Sequence, residues 1–357
     1  MICISSHVPI DVVKTRGGRY ALAMAKWNVL LTARALAEVG QSALEIFQQA
    51  GCATVSSNKK GPMAPADLIP QLEDVDAVLA SPDKFTSEVF AAPAARNLKI
   101  VSRWGVGYDS IDVAAATAAG VTVAYTPGVL NDAVADYAFA LLLNLARRVH
   151  EGQRALSEGR WAAVWGHDVA KKTLGIIGCG RIGQAMARRA AGFEMRLLGY
   201  DTVRNSEAEK LGIQFVSLNE LLEQSDFVTL HAALTPATQG MLGEAQLRKM
   251  KRSAYLINTA RGAHVDEAAL IRALNEGWLA GAALDTFVTE PLPSDHPLRT
   301  APNLLLTPHQ AGFGRQTGEE VSRVSAQAIV DLMNGKRPLH VVDATVFESP
   351  SFRARLV

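Results

Sequence analysis

From Trp27 onward, short apolar runs alternate with longer stretches whose apolar residues recur at helical spacing. NVLLT (28–32), ATVSS (53–57), DAVLA (76–80), KIVSR (99–103) and VTVAY (121–125) read as strands separated by Ala-rich, helix-compatible segments. A second series follows with TLGIIG (173–178), RLLGY (196–200), DFVTLH (226–231), AYLIN (254–258), GAALD (281–285) and LLLTP (304–308). Helical patterns such as SLNELLEQ and DEAALIRALNEG lie between these, the latter opening on an acid and closing on a glycine. Strands spaced by helices imply βαβ units and a parallel sheet with helices on its faces. Two such series predict an α/β protein of two doubly wound parallel-sheet domains.

Residues 1–26 show no periodicity and are expected to form an irregular extension. The join between the series is expected near TPGVLNDA (126–133), where a Pro-Gly pair meets an Asn-Asp helix start. The following NDAVADYAFALLLNLARR is apolar on nearly all sides, as for a helix buried between domains or subunits. A last helical pattern, GEEVSRVSAQAIVDLMNG (318–335), could return the chain to the first domain.

Length and composition narrow the class. The chain has 357 residues, which favours two domains. With Lys+Arg 36 against Asp+Glu 35, no basic footprint for nucleic acid is present. Apolar residues make up 48%, enough for a large core. The longest apolar stretch, 133–146, contains Asp136 and Asn144 and is too short to span a bilayer, and no secretory signal is visible. Cys3, Cys52 and Cys179 are odd in number and widely spaced, which argues against disulfides and a zinc site, so no metal is expected. The expectation is a soluble cytoplasmic protein.

GCGRIG (178–183) closes the strand TLGIIG and opens the helix RIGQAMARRAAG. Gly178 permits the turn, Gly180 lets the backbone approach a pyrophosphate, and Gly183 allows close helix–strand packing. Arg181 and Ile182 open the helix, whose free N–H groups and dipole favour phosphate. Asp201 ends the next strand, 18 residues beyond Gly183, where a carboxylate can accept both ribose hydroxyls of NAD and repel the 2′-phosphate of NADP. Arg204, three residues on, would tolerate some NADP. Cys179 reads as a turn filler.

Arg261 in INTARG, Glu290 in DTFVTEP and His309 in TPHQAG each lie at or just after the C-terminal end of an expected strand, the edge where open α/β sheets bind ligands. Arginine can clamp a carboxylate, and a histidine oriented by a carboxylate can exchange a hydroxyl proton near neutral pH. Spacing alone leaves open that the three are separate surface residues. SRWGVGYDSID (102–112) follows a strand of the first series, and Gly105 and Gly107 offer either a small anion-binding nest or an ordinary turn.

Together WGVGYDSID, GCGRIGQAMA, LINTARGAHVDEAAL, GAALDTF…TEP and TPHQAG resemble the D-2-hydroxyacid dehydrogenase family, and its phosphoglycerate dehydrogenase-like branch, from about Trp27 to about Val342. The resemblance implies a flavodoxin-like split substrate domain (1–126, with the return segment 312–357) and a Rossmann NAD-binding domain (127–311), with the active site in the cleft between them. It implies that Arg261 binds the substrate carboxylate and carbonyl oxygen, that His309 exchanges the proton and that Glu290 orients it. The backbone at Val106 and Gly107 would hold the carboxylate. Thr259 would lie beside the cofactor, and Asp285 would face the nicotinamide. Arg103 matches an arginine used for a substrate phosphate, or serves as a surface ion pair. A homodimer would place NDAVADYAFALLLNLARR and RWAAVWGHD at its interface.

The chain departs from the family pattern at Trp104, Tyr137, Ala233, Gln310 and Phe313, which bears on the substrate rather than the reaction. His7, His150, His167, His231, His264, His296 and His340 are expected in loops, caps or at the surface. The expected activity is reversible NAD-dependent reduction of a 2-keto acid, phosphorylated or not, to a D-2-hydroxy acid. A glyoxylate or hydroxypyruvate reductase, and an NAD(H)-sensing corepressor of the same fold, are the alternatives.

Overall fold

The structure, a computed structural model, describes residues 26–59 and 62–357, so the expected extension lies outside the described residues except for Lys26, as do Cys3 and His7. Strands β1 (Asn28–Leu31), β2 (Ala53–Ser56), β3 (Ala77–Ala80), β4 (Ile100–Arg103) and β5 (Thr122–Ala124) form one parallel sheet in the order β2-β1-β3-β4-β5. The second is also parallel, with β6 (Thr173–Ile177), β7 (Arg196–Tyr200), β8 (Gln214–Phe215), β9 (Phe227–Leu230), β10 (Tyr255–Asn258), β11 (Gly281–Leu284) and β12 (Leu304–Leu306). Its order is β12-β11-β10-β9-β6-β7-β8. The first order is flavodoxin-like and the second Rossmann-like, each reversing direction at a switch point beside its first strand.

The inner strands are mostly apolar because both faces of each sheet are covered there, whereas the edge strand β2 is largely exposed. In β3, Ala77 and Leu79 pack into one core cluster while Val78 and Ala80 pack into the cluster on the opposite face. All eleven expected strands form. The twelfth, β8, is a two-residue edge strand, too short for periodicity to reveal.

The helix Asn131–Arg147 explains its own all-round apolarity. Val134, near its start, joins the core of the first sheet, whereas Ala138, Phe139, Leu142 and Leu145 join a core of the second. Asp132 and Asp136 on its exposed side meet Arg189. Burial of this helix is therefore satisfied largely inside the chain. The last long helix, Arg315–Met333, packs Val321, Ile329 and Leu332 back onto the first sheet, and Ser102 Oγ donates to the Ser325 carbonyl at 2.8 Å. Val341 bridges antiparallel to Ala124. Among the described residues no helix is long and apolar enough to cross a membrane.

Each sheet carries an aspartate that ties its central strand to a neighbour. Asp76 accepts from the Asn28 N–H at 2.8 Å and from Lys99 Nζ. Asp226 accepts from the Thr173 N–H at 2.9 Å and from Lys251 Nζ at 2.8 Å. Burial pulls the Asp226 carboxyl up, but Lys251 and the Thr173 N–H outweigh it and hold it below its ordinary value. A carboxyl depressed in this way stabilises the fold above its unfolded pKa and loses that contribution as pH falls through the folded value. Asp226→Asn should therefore cost about 1–3 kcal/mol at neutral pH. Thermal melts across pH should show the gap from wild type closing below about pH 4; a gap that persists in acid would contradict this.

Candidate active site

Both sheets turn the C-terminal ends of their strands toward one cavity of about 890 Å³. The first sheet contributes Arg34 after β1, Ser81 and Pro82 after β3, and residues 103–109 after β4. The second contributes His231 after β9, Thr259 and Arg261 after β10, Glu290 after β11, and residues 306–309 with Phe313 after β12. Loops at this edge meet because successive parallel strands all end there.

His309 and Glu290 are brought together, with Nδ1 to Oε2 at 2.7 Å. An ionised carboxylate only accepts, so Nδ1 carries the proton and Nε2 remains for the cleft. The other glutamate oxygen accepts from the Phe287 N–H at 3.0 Å, which fixes the carboxylate. Burial raises the Glu290 carboxyl, but the hydrogen bond and charge of His309 prevail and hold it below the usual range.

His309 sits in the left-handed region at φ 50°, which costs a non-glycine residue roughly 1–2 kcal/mol. Its loop is held from beneath by Asp285, whose Oδ1 accepts from Thr307 Oγ1 at 2.6 Å and the Gln310 N–H at 3.0 Å. Asp285 Oδ2 accepts from the Ala311 N–H at 2.8 Å. Asp285 is fully buried, and burial pushes its carboxyl up. The resemblance set this residue at the nicotinamide, whereas both oxygens here point into the 307–311 loop and the side chain is absent from the cavity wall.

Arg261 reaches across to the first sheet. Its Nε and Nη2 lie 2.9 and 2.7 Å from Asp109 Oδ1, and Nη1 donates to the Ala260 carbonyl at 2.8 Å. Burial raises the Asp109 carboxyl, but Arg261 more than offsets it and leaves it below its ordinary value. Gly107 makes this approach possible, since a Cβ there would overlap Arg261 Nη2.

Arg103 is 7% exposed beneath the glycine loop, where Nη1 donates to the Trp104 carbonyl and Nε lacks a partner among the described residues. Burial, followed by the charge of Arg261, lowers it to about 10. It is therefore not a surface ion pair. Asp83, fully buried, lies close enough to oppose that charge and is itself held by Thr32 Oγ1 and the Met63 N–H.

The glycine motif fits a dinucleotide. Gly178 has φ 92°, and a Cβ there would strike the Ala232 nitrogen. A Cβ at Gly183 would strike the Gly178 carbonyl oxygen. At Gly180 a Cβ would meet no described atom within 4 Å, so this backbone stands open at the N-terminus of the helix Arg181–Ala191. Arg181 is exposed there and Ile182 lines the cavity. Thr259 Oγ1 and His231 Nδ1 are buried without a partner among the described residues, polar atoms that a bound ligand would satisfy. Asp201 Oδ2 accepts from the Cys179 N–H at 2.8 Å, so this carboxylate also braces the turn. Burial and the Asp201 charge push the Cys179 thiol up to about 12, which removes it as a nucleophile. No group of three or more His, Cys, Asp or Glu among the described residues could hold a metal ion.

Arg34 and Asp109 also line the cavity, and two histidines expected in loops, caps or at the surface lie at the site. His231 lines the cavity, donates to or accepts from Thr229 Oγ1 at 2.9 Å, and is lowered by burial to about 3, so it stays neutral. His264 is fully buried against the carbonyl oxygens of Arg261 (3.0 Å) and Ala233 (3.3 Å), beneath the clamp rather than at the surface. The end-of-strand rule that selects Arg261 would have selected Arg34 and Asp109 if applied to the first sheet.

Gly107→Ala should displace Arg261 from Asp109. Weakening of oxamate binding by about 10-fold or more is expected, the loss of one charge-assisted contact, with NADH titration unchanged. Unchanged oxamate binding would contradict the close approach.

Residues 139–311 match the family model of the D-isomer specific 2-hydroxyacid dehydrogenase NAD binding domain. The chain is 47% identical over 287 residues to a glyoxylate reductase of Korarchaeum cryptofilum, covering 78% of this chain and 86% of the relative. It is 39% identical over 334 residues to a glyoxylate reductase of Thermofilum pendens, covering 91% of this chain and 97% of that one. The solved glyoxylate reductase of Paecilomyes thermophila superposes with TM-score 0.77 at 31% identity, covering 88% of this chain and 98% of that chain.

Proposed function

The chain belongs to the D-isomer-specific 2-hydroxyacid dehydrogenases, NAD-dependent oxidoreductases that act on a CH–OH group, and from that premise we propose that it reduces glyoxylate or a similarly small unphosphorylated 2-oxo acid such as hydroxypyruvate. The carrying observation is the His309–Glu290 pair opposite Arg261 at the seam of two sheets. Kinship with two glyoxylate reductases at 47% and 39% identity supports the small acid. So does the Trp104–Phe313 pair, whose rings lie 5.7 Å apart on the cavity wall. The phosphorylated substrate expected from Arg103 gives way to this reading, because the Arg103 guanidinium is buried and its Nη1 is already held by the Trp104 carbonyl.

In this mechanism Arg261 draws in the carboxylate and carbonyl oxygen of the substrate, and the N–H groups at Val106 and Gly107 take the second carboxylate oxygen. Bound NADH supplies the hydride for C2. His309 Nε2–H gives its proton to the carbonyl oxygen as negative charge develops there, and takes it back in the reverse direction. Glu290 accepts from Nδ1–H and so keeps the ring turned with Nε2 toward the substrate. Gly178, Gly180 and Gly183 would hold the pyrophosphate together with Arg181 and Ile182, Asp201 would accept from the ribose hydroxyls, and Thr259 Oγ1 and His231 Nδ1 would find partners on the cofactor.

Of the described residues, we assign those up to 126 together with 312–357 to a substrate half and 127–311 to a cofactor half. A homodimer is the proposed assembly: Trp161 and Trp165 are 93% and 91% exposed beside exposed Val149 and Leu156, more apolar surface than a monomer usually leaves bare.

NADH oxidation should run with glyoxylate and hydroxypyruvate at least about 10-fold more efficiently, by kcat/KM, than with 3-phosphohydroxypyruvate, the value of one anion contact. The reverse order would restore the phosphate reading, and NADH binding without turnover of any acid would favour the corepressor. His309→Ala should lose about 10²–10⁴-fold in kcat with NADH affinity intact. Asp201→Ala should narrow the preference for NADH over NADPH; an unaltered ratio would remove Asp201 from ribose recognition.

A further inference from the structure

We propose that Arg34 is a positioning residue for the proton shuttle, acting as a strap from the first sheet onto the histidine loop of the second. Arg34 follows β1, yet its Nη2 donates to the Pro308 carbonyl at 3.1 Å and to the His309 carbonyl at 2.8 Å. Those two carbonyls flank the residue whose backbone is held at φ 50°. Asp285 takes the N–H groups on the C-terminal side of His309, so the two charged residues grip the loop by its donors and its acceptors respectively. A left-handed residue persists only where its surroundings over-determine it, and Arg34 supplies the half of that determination that comes from across the cleft.

The guanidinium is itself placed. It lies 5.0 Å over the Phe313 ring, Phe313 meets Trp104 edge-to-face at 5.7 Å, and Trp104 Nε1 donates to Ser322 Oγ at 2.9 Å. On the other side of the loop Gln310 Nε2 donates to the Tyr137 hydroxyl at 2.6 Å. Four of the five departures from the family pattern, Trp104, Tyr137, Gln310 and Phe313, thus converge on the same loop. The loop that carries the imidazole is thus held from both halves of the chain.

This inference rests on the reading of His309 as the proton shuttle. The test uses the full-length enzyme with Arg34→Met, which keeps the stem and removes the donors, and Arg34→Lys, which restores a cationic donor. For Arg34→Met, kcat with glyoxylate should fall about 10- to 100-fold, the cost of a small misplacement of a reacting group. KM for glyoxylate and the Kd of NADH should stay within about threefold, well inside the spread expected of unaltered binding. The solvent deuterium isotope effect on kcat should rise because proton transfer slows, and Arg34→Lys should recover most of the rate. Unchanged kcat, a rise confined to KM, or a joint fall in Tm and NADH affinity would each overturn the proposal. Parallel assay of His309→Ala separates the two failures: full turnover there defeats the shuttle itself, whereas its loss beside a fully active Arg34→Met defeats only the strap.

Discussion

One loop, residues 307–311, must aim an imidazole into a cleft that neither sheet forms alone. Its backbone adopts a left-handed turn at His309, and it keeps that turn through buried contacts rather than local preference. Asp285 is the anchor: a fully buried carboxylate with three donors from five consecutive residues. An unpaired carboxylate at that depth would be costly, and the same donors that satisfy it define the loop. The orientation of Glu290, the reach of Arg34 and the shape of the cavity all take their reference from this fixed segment.

The cleft also concentrates positive charge. Arg34, Arg103 and Arg261 line one cavity, and Arg34 and Arg261 both lie close enough to Arg103 to affect it electrostatically. Acidic or carbonyl groups oppose every one of them: Asp83 faces Arg103, Asp109 holds Arg261, and the loop carbonyls hold Arg34. The result is a pocket that attracts an anion while each guanidinium keeps a defined direction, which is the preorganisation that transition-state stabilisation requires. Gly107 belongs to this balance because only the absence of a side chain lets Arg261 pass to Asp109.

Much of this was readable in the chain. Strands buried on both faces announce themselves as short, mainly apolar runs, and the regular spacing of these also marked the exposed edge strand β2, so all but the two-residue β8 were legible. The glycine motif was legible because turn, helix start and acidic strand end occupy successive local positions. The helix Asn131–Arg147 was legible as an element but not as a bridge, because apolarity on all sides does not say which cores share it. The contacts that shape the site were least legible. Arg34 and His309 are 275 residues apart, and a lone arginine after a strand carries no local signature. Asp285 sat at the correct strand end, yet which way its carboxylate points depends on the loop it folds under. Arg103 looked like an anion contact by position, and only burial showed how tightly it is enclosed.

In the proposed reaction, substrate meets Arg261 and His309 at the seam of the two sheets. The most direct measurement is a crystal structure of the enzyme with NADH and oxamate, an unreactive mimic of a small 2-oxo acid. The oxamate carboxylate is expected on Arg261 and on the N–H groups of Val106 and Gly107, with its carbonyl oxygen in hydrogen-bond reach of His309 Nε2. Oxamate seated away from His309, or held by Arg103 in place of Arg261, would contradict it.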